Sequence, residues 1–163
     1  MSSVESIYPK EDKTAVMEEF RNFYDNSGYP ASCLYPDVKT ILAGFHKNGY
    51  GIFVATNKRT IAAKSILSNL ELSESIDDIY ASDCVNPPLM KSDLVKRIIE
   101  SKKLDPGKTI MIGDTMGDLQ AAVQNEVDFI FAAYGYGQLD CDELPGSKIK
   151  IAESFSQIEN YIR

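Results

Sequence analysis

Thr109-Ile110-Met111-Ile112-Gly113-Asp114-Thr115-Met116-Gly117-Asp118 compresses a strand, a turn and the start of a helix into one short run. Its first four residues are apolar or β-branched, with no room for a helical period. They predict a buried parallel strand that closes on a Gly-Asp turn. Gly117 to Val123 continues with good helix formers, so a helix follows directly. Asp114 then falls at the strand tip and Asp118 in the first helical turn. Both carboxylates can face one crevice outside the carboxyl ends of a parallel sheet. Two hard oxygen ligands there suit Mg²⁺. Asp114 as a plain turn residue and Asp118 as a helix cap are the alternative roles, and the spacing alone does not choose between them.

Working outward, strand and helix signals alternate. On the amino-terminal side, Tyr50 to Ala55 reads as a second buried strand with Thr56-Asn57-Lys58 at its carboxyl tip. A helix over about Thr60 to Leu70 places Ile61, Ile66, Leu67 and Leu70 towards a core. Ile76 to Ala81 includes a short strand, and Ser82 to Pro88, with two prolines, is loop. Lys91 stands before a helix whose inward residues are Leu94, Val95, Ile98 and Ile99, ended by Asp105-Pro106-Gly107. Further out, Asp37 is placed to cap a helix carrying Val38, Ile41, Leu42 and Phe45, which Asn48-Gly49 closes. Tyr29 to Pro36 is a connector. Lys10 to Tyr24 has Val16, Phe20, Phe23 and Tyr24 at helical spacing, an aromatic face that must pack on something. Downstream lie a strand over Phe129 to Ala132, a Gly-rich loop from Tyr134 to Gly137, an acidic loop through Asp140-Cys141-Asp142-Glu143, and a final helix from about Phe155 to Ile162. The pattern is an α/β parallel sheet with helices on both faces.

Composition narrows the function classes. The 163 residues suffice for one domain with a real core. A net charge of -7 argues against a nucleic-acid partner, whose binding needs clustered Lys and Arg. No apolar run reaches spanning length and no basic-then-apolar leader opens the chain, so neither a membrane nor export is indicated and a cytoplasmic location is expected. Cys33, Cys84 and Cys141 are far apart with no CxxC pattern, which suggests free thiols rather than zinc or disulfides. His46 is the one histidine and sits inside a helical pattern, so it is the only imidazole a nucleophilic triad could use.

Three strand-end signals coincide: the Thr56-Asn57 hydroxyl and amides, the Lys91 charge, and the Asp114 and Asp118 carboxylates. Together they suit a phosphate dianion held beside Mg²⁺. From Phe20 onward the chain resembles the haloacid dehalogenase superfamily, in particular its phosphoglycolate phosphatase-like branch. Gly28-Tyr29-Pro30-Ala31, Leu34-Tyr35-Pro36, Val54-Ala55-Thr56-Asn57-Lys58, Lys91-Ser92-Asp93-Leu94-Val95 and Gly113-Asp114-Thr115 with Asp118 carry the resemblance. It implies a three-layer Rossmann-like parallel sheet over 29–163, preceded over 1–28 by an arm and a remnant cap helix. It also implies that Thr56 and the Asn57 backbone bind phosphate, that Lys91 neutralises phosphate and nucleophile, and that Asp114, helped by Asp118, holds Mg²⁺. The ligand would be a small phosphorylated molecule or inorganic phosphate.

One departure from the family pattern governs the functional expectation. The family opens with an apolar strand ending in Asp-x-Asp, whose first carboxylate attacks phosphorus and whose second acts as general acid and base. Met1 to Ile7 contains no aspartate, and the single Asp-x-Asp, Asp140-Cys141-Asp142, reads as a solvated late loop. A phosphatase-type hydrolase that is inactive or very weak as this isolated chain is therefore expected, with Mg²⁺ bound weakly. A non-catalytic phosphate-binding or regulatory module, and a structural interaction domain, are the other readings. The same departure would leave a gap between the strands 50–55 and 109–112. Direct pairing of these strands or a strand from a second chain, including a homodimer, is expected to close it. The arm over Ser2 to Ile7 is too polar to be buried on both faces.

Overall fold

Helices and strands alternate in the computed structural model, which describes residues 32–137 and 149–162 together with Ala15, Val16, Glu18, Glu19 and Phe23. The elements are α1 (Val38–Lys47), β1 (Phe53–Thr56), α2 (Thr60–Asn69), β2 (Asp78–Ala81), α3 (Lys91–Lys102), β3 (Ile110–Gly113), α4 (Met116–Gln124), β4 (Asp128–Ala132) and β5 (Lys150–Ala152). A 3₁₀ turn over Phe155–Asn160 ends the fold. The architecture is three-layer, Rossmann-like α/β with every strand pair parallel.

The strands form two half-sheets, β2-β1 and β3-β4-β5. β4 lies inside the larger half, and its Phe129, Ile130 and Ala132 are buried, as a strand covered on both faces requires. On one face Phe129 packs with Leu119 and Ala122 of α4 and with Val127. On the other, Ile130 packs with Ala152 of β5 and Ile158 of the closing turn. Helix α3 buries Leu94, Val95 and Ile98, the inward stripe that its apolar spacing dictates. It touches β1 and β2 in one half and α4 in the other. On the opposite face, α1 spans the halves in the same way, meeting the turn Ser73–Ser75 and the closing 3₁₀ turn.

The expected direct pairing of β1 with β3 does not occur. Between them is a slot of about 490 Å³. Leu42 and Phe45 of α1 with Phe155 and Ile162 line one side, and Val95, Ile98 and Ile99 of α3 line the other. The helices that carry them touch both halves, so the halves are held together without that pairing. β3 was expected to be buried, yet none of its residues is, and Ile112 is 38% exposed. The arm over Ser2 to Ile7 and the late Asp140-Cys141-Asp142 lie outside the described residues.

Other local expectations are corrected too. In α2 it is Ala62 and Ala63 that are buried, while Ile61 is 60% exposed. Asp37 precedes α1 with φ 65° and makes no side-chain cap; its carboxylate accepts from Ser156 Oγ at 3.3 Å instead. The final helix is 3₁₀ rather than α, and β5 was not foreseen. Most of Lys10 to Tyr24 lies outside the described residues; the five described there are helical, and Phe23 is 64% exposed rather than packed.

Candidate functional site

β1 and β3 end side by side at one mouth of the slot, and the residues after them supply its polar groups. Asp114 follows β3 directly. The turn Gly135-Tyr136-Gly137 after β4 folds over it, and the Tyr136 and Gly137 N–H groups donate to Asp114 Oδ2 at 2.9 and 3.0 Å. Successive backbone N–H groups of this kind form a small anion-binding concavity, here filled by a carboxylate. Among the described residues Asp114 Oδ1 has no hydrogen-bond or ion-pair partner, which leaves that oxygen for a cation.

Asp118 has both oxygens engaged. Its Oδ2 accepts from Thr115 N–H at 3.1 Å and from Thr115 Oγ1 at 2.8 Å, while Thr115 Oγ1 accepts from Asp118 N–H at 3.2 Å. This reciprocal capping box starts α4. Asp118 Oδ1 pairs with Lys91 Nζ at 2.8 Å. Burial pushes the Asp118 carboxyl up, but the hydrogen bonds from Lys91 and Thr115 and the Lys91 charge outweigh it. The net effect is a pKa below the usual aspartate range. The alternative role named for Asp118, the helix cap, is thus realised, and the residue is buried.

Lys91 joins the two halves. From the first residue of α3 its ammonium donates to Ala55 O of β1 at 3.4 Å as well as to Asp118. Thr56 closes a local turn, its Oγ1 accepting from Lys58 N–H at 3.1 Å; this leaves the hydroxyl proton to donate. Ser82 Oγ donates to Asn57 O at 3.0 Å. Asp83 Oδ1 accepts from Thr60 N–H at 2.8 Å and Thr60 Oγ1 at 2.7 Å. Burial opposes ionisation of Asp83, yet the Thr60 hydrogen bonds and nearby Arg59 carry its pKa below the usual value. The Thr56–Thr60 turn is therefore held by residues 25 and 23 positions away.

Of the sequence-predicted residues, Lys91, Asp114 and Asp118 line the slot together. Thr56 and Asn57 follow Ala55, the last β1 residue on the lining. The Gly135-Tyr136-Gly137 clamp was read only as a loop; a Gly-x-Gly just past a strand was its available signal. An aromatic wall was also missed. Tyr35 meets Tyr134 edge-on at 4.8 Å, and Tyr134 meets Phe155 at 6.3 Å. Burial, with the charges of Tyr35 and Asp114, pushes the Tyr134 phenol up to about 12, so it stays neutral in any ordinary buffer. Among the described residues no group of three or more His, Cys, Asp or Glu is placed to hold a metal ion. The donor set still fits Mg²⁺, which commonly takes one or two carboxylates and draws its remaining ligands from water and phosphate; Asp114 is the carboxylate with an oxygen to give.

In open parallel α/β sheets ligands bind in the crevice outside the carboxyl ends of the strands, and Lys91, Asp114 and Asp118 line the slot at that edge. The chain belongs to the haloacid dehalogenase-like hydrolase family, whose model matches residues 2–132. A phosphoglycolate phosphatase of Photobacterium profundum is 32% identical over 119 residues, 72% of this chain and 51% of that protein. A 5'-nucleotidase of Pseudomonas aeruginosa is 26% identical over 124 residues, 76% of this chain and 56% of that protein. The chain thus spans about half the length of the curated relatives it matches. A solved haloacid dehalogenase-like hydrolase from Streptococcus pneumoniae superposes with a TM-score of 0.86 at 23% identity, over 99% of this chain and 75% of its own. No helix of the described residues is long and apolar enough to cross a membrane.

Proposed function

We propose that this chain carries the phosphate- and Mg²⁺-binding part of a phosphatase-type phosphomonoester hydrolase, and that alone it turns over substrate at or near background. The observation behind this reading is the Lys91 ammonium, held between Ala55 O of β1 and the Asp118 carboxylate beside β3. Tied at two points, it offers a fixed positive charge to a dianion. The Thr56 hydroxyl and the Asn57 backbone contact the phosphate oxygens from the β1 side. Asp114 Oδ1 holds Mg²⁺, which when bound neutralises phosphate charge. Asp118 orients Lys91 through its Oδ1 while its Oδ2 fixes the Thr115 turn that follows Asp114.

The weak turnover follows from the carboxylates at hand. Among the described carboxylates only Asp114 and Asp118 line the slot. Asp114 is needed for the cation, and Asp118 is ion-paired, so neither serves as the nucleophile that would split the reaction into two easier steps. The test is hydrolysis of p-nitrophenyl phosphate with Mg²⁺. The rate should stay close to the protein-free background. Robust Mg²⁺-dependent turnover that Asp114→Asn abolishes would show that these 163 residues contain a working nucleophile.

A further inference from the structure

We propose that Ser82 and Asp83 are positioning residues of the anion site, which set its affinity without touching the anion; this rests on the phosphate-binding reading above. Strand register brings them there. β1 and β2 run parallel with Thr56 opposite Ala81, so the residues that follow each strand meet past the carboxyl edge. On the β1 side these are Asn57 to Thr60, and on the β2 side the 3₁₀ turn Ser82–Cys84. Ser82 Oγ donates to Asn57 O at 3.0 Å, which fixes the peptide plane that follows Asn57. Asp83 Oδ1 accepts from both the N–H and the hydroxyl of Thr60, at 2.8 and 2.7 Å. It thereby satisfies the first N–H of α2, a helix whose own N-cap, Arg59, makes no side-chain cap bond.

The same short turn also reaches Lys91. Ser82 O accepts from Leu89 N–H at 2.9 Å, just ahead of Lys91 and the start of α3. Ser82 thus holds Asn57 with its side chain and the approach to α3 with its backbone. Lys91 Nζ in turn lies 3.4 Å from Ala55 O. The Thr56–Asn57 turn and Lys91 are held at one spacing in this way; a loose turn would have to be ordered by the anion, at a cost in affinity. The competing reading makes Asp83 a surface charge, since its side chain is 34% exposed, and the two readings differ in sign. A carboxylate beside an anion site repels the anion, and Asp83 Oδ2 also lies 3.8 Å from Arg59 Nε. Removing a charge that only repels tightens phosphate binding. Removing a positioning group weakens it.

The test is a titration of the full chain with inorganic phosphate at constant ionic strength, followed by the amide ¹⁵N–¹H shifts of residues 56–60 and 91. Asp83→Ala should raise the phosphate Kd about fivefold, the equivalent of one net hydrogen bond, despite the lost negative charge. Ser82→Ala, which alters no charge, should raise it too. Asp83→Asn keeps an oxygen for both Thr60 bonds and should bind phosphate at least as tightly as the parent. Equal weakening by Asp83→Asn and Asp83→Ala leaves those bonds without a part and overturns the proposal. So does a Kd that rises only where a variant's own melting curve shows it partly unfolded, since that is lost stability rather than lost positioning. A parent with no saturating response to phosphate overturns the anion site and this inference together. A parent that responds, with an Asp83→Ala variant that binds equally or more tightly, overturns this inference alone.

Discussion

Gly113, Gly135 and Gly137 crowd the two site carboxylates so closely that a Cβ on any of them collides. At Gly113 it would lie 2.7 Å from Asp118 Oδ2, at Gly135 2.6 Å from Asp114 Oδ2, and at Gly137 2.6 Å from the Asp114 carbonyl carbon. The Gly137 case is the most severe because the obstacle is backbone. Gly137→Ala should destabilise the fold by about 2–3 kcal/mol, within the range for overpacking, and displace the clamp on Asp114. Gly44, in the middle of α1 with nothing within 4 Å, is the matched control: Gly44→Ala should stabilise by roughly 0.5–1 kcal/mol. Urea denaturation of the two variants reads both signs. Asp118 provides a pH test. Its folded pKa is depressed, so its stabilising effect is present above the unfolded value of about 3.9 and is lost as pH falls through the folded value. Asp118→Asn should cost about 2 kcal/mol at pH 7, between the exposed and fully buried ion-pair cases, and flatten the decline in stability below about pH 4. A denaturation series from pH 7 to 2.5 on both proteins checks it; parallel curves would mean that the ion pair with Lys91 contributes nothing.

Helix α3 shows why some elements could be read from the sequence and others could not. Leu94, Val95 and Ile98 recur at helical spacing between polar residues, and all three are buried where that pattern places them. α2 has an equally plain pattern that misleads. It lies close to β2, and the small Ala62 and Ala63 make that approach, which turns Ile61 outward. β5 is three residues after a polar loop, too short to display a period. At the site, the strand-end placement of Lys91, Asp114 and Asp118 was legible because strand, turn and helix follow one another there. The Gly135–Gly137 clamp shows in the sequence only as a Gly-x-Gly past a strand, since its donors are backbone amides rather than side chains. Two substitutions separate the helices energetically. Leu94 is fully buried, so Leu94→Ala should cost about 2–5 kcal/mol, whereas Ile61→Ser should stay within about 0.5 kcal/mol of the parent. Thermal melts would show the first as a fall of roughly 5–15 °C and the second as almost none.

At the scale of the whole molecule, the resemblance locates the division of the sheet between 50–55 and 109–112, but does not say that β1 and β3 stay unpaired across it, because strand spacing is settled by packing between distant elements. Lost ladder bonds, at about 1 kcal/mol each, are the physical reason to expect such a gap to be closed, by direct pairing or by a strand from a second chain. The bridging helices α1 and α3 bind the halves without direct pairing. The proposed anion site draws on both halves, with Thr56 and Asn57 in one and Lys91, Asp114 and Asp118 reached from the other. Phosphate should therefore stabilise the molecule globally, as a ligand that binds only when the halves are assembled. At ten times its Kd the gain is about 1.4 kcal/mol. For a domain of this size that raises Tm by roughly 3–6 °C. Phosphate also stabilises proteins without a site, by exclusion from their surface, so the shift in one protein proves little. Lys91→Ala supplies the reference: it keeps the exclusion effect and loses the fixed ammonium. A phosphate titration at constant ionic strength should give the larger, saturating shift for the parent and a small, linear one for the variant. Equal shifts in the two proteins would remove the anion site, and the functional reading built on it.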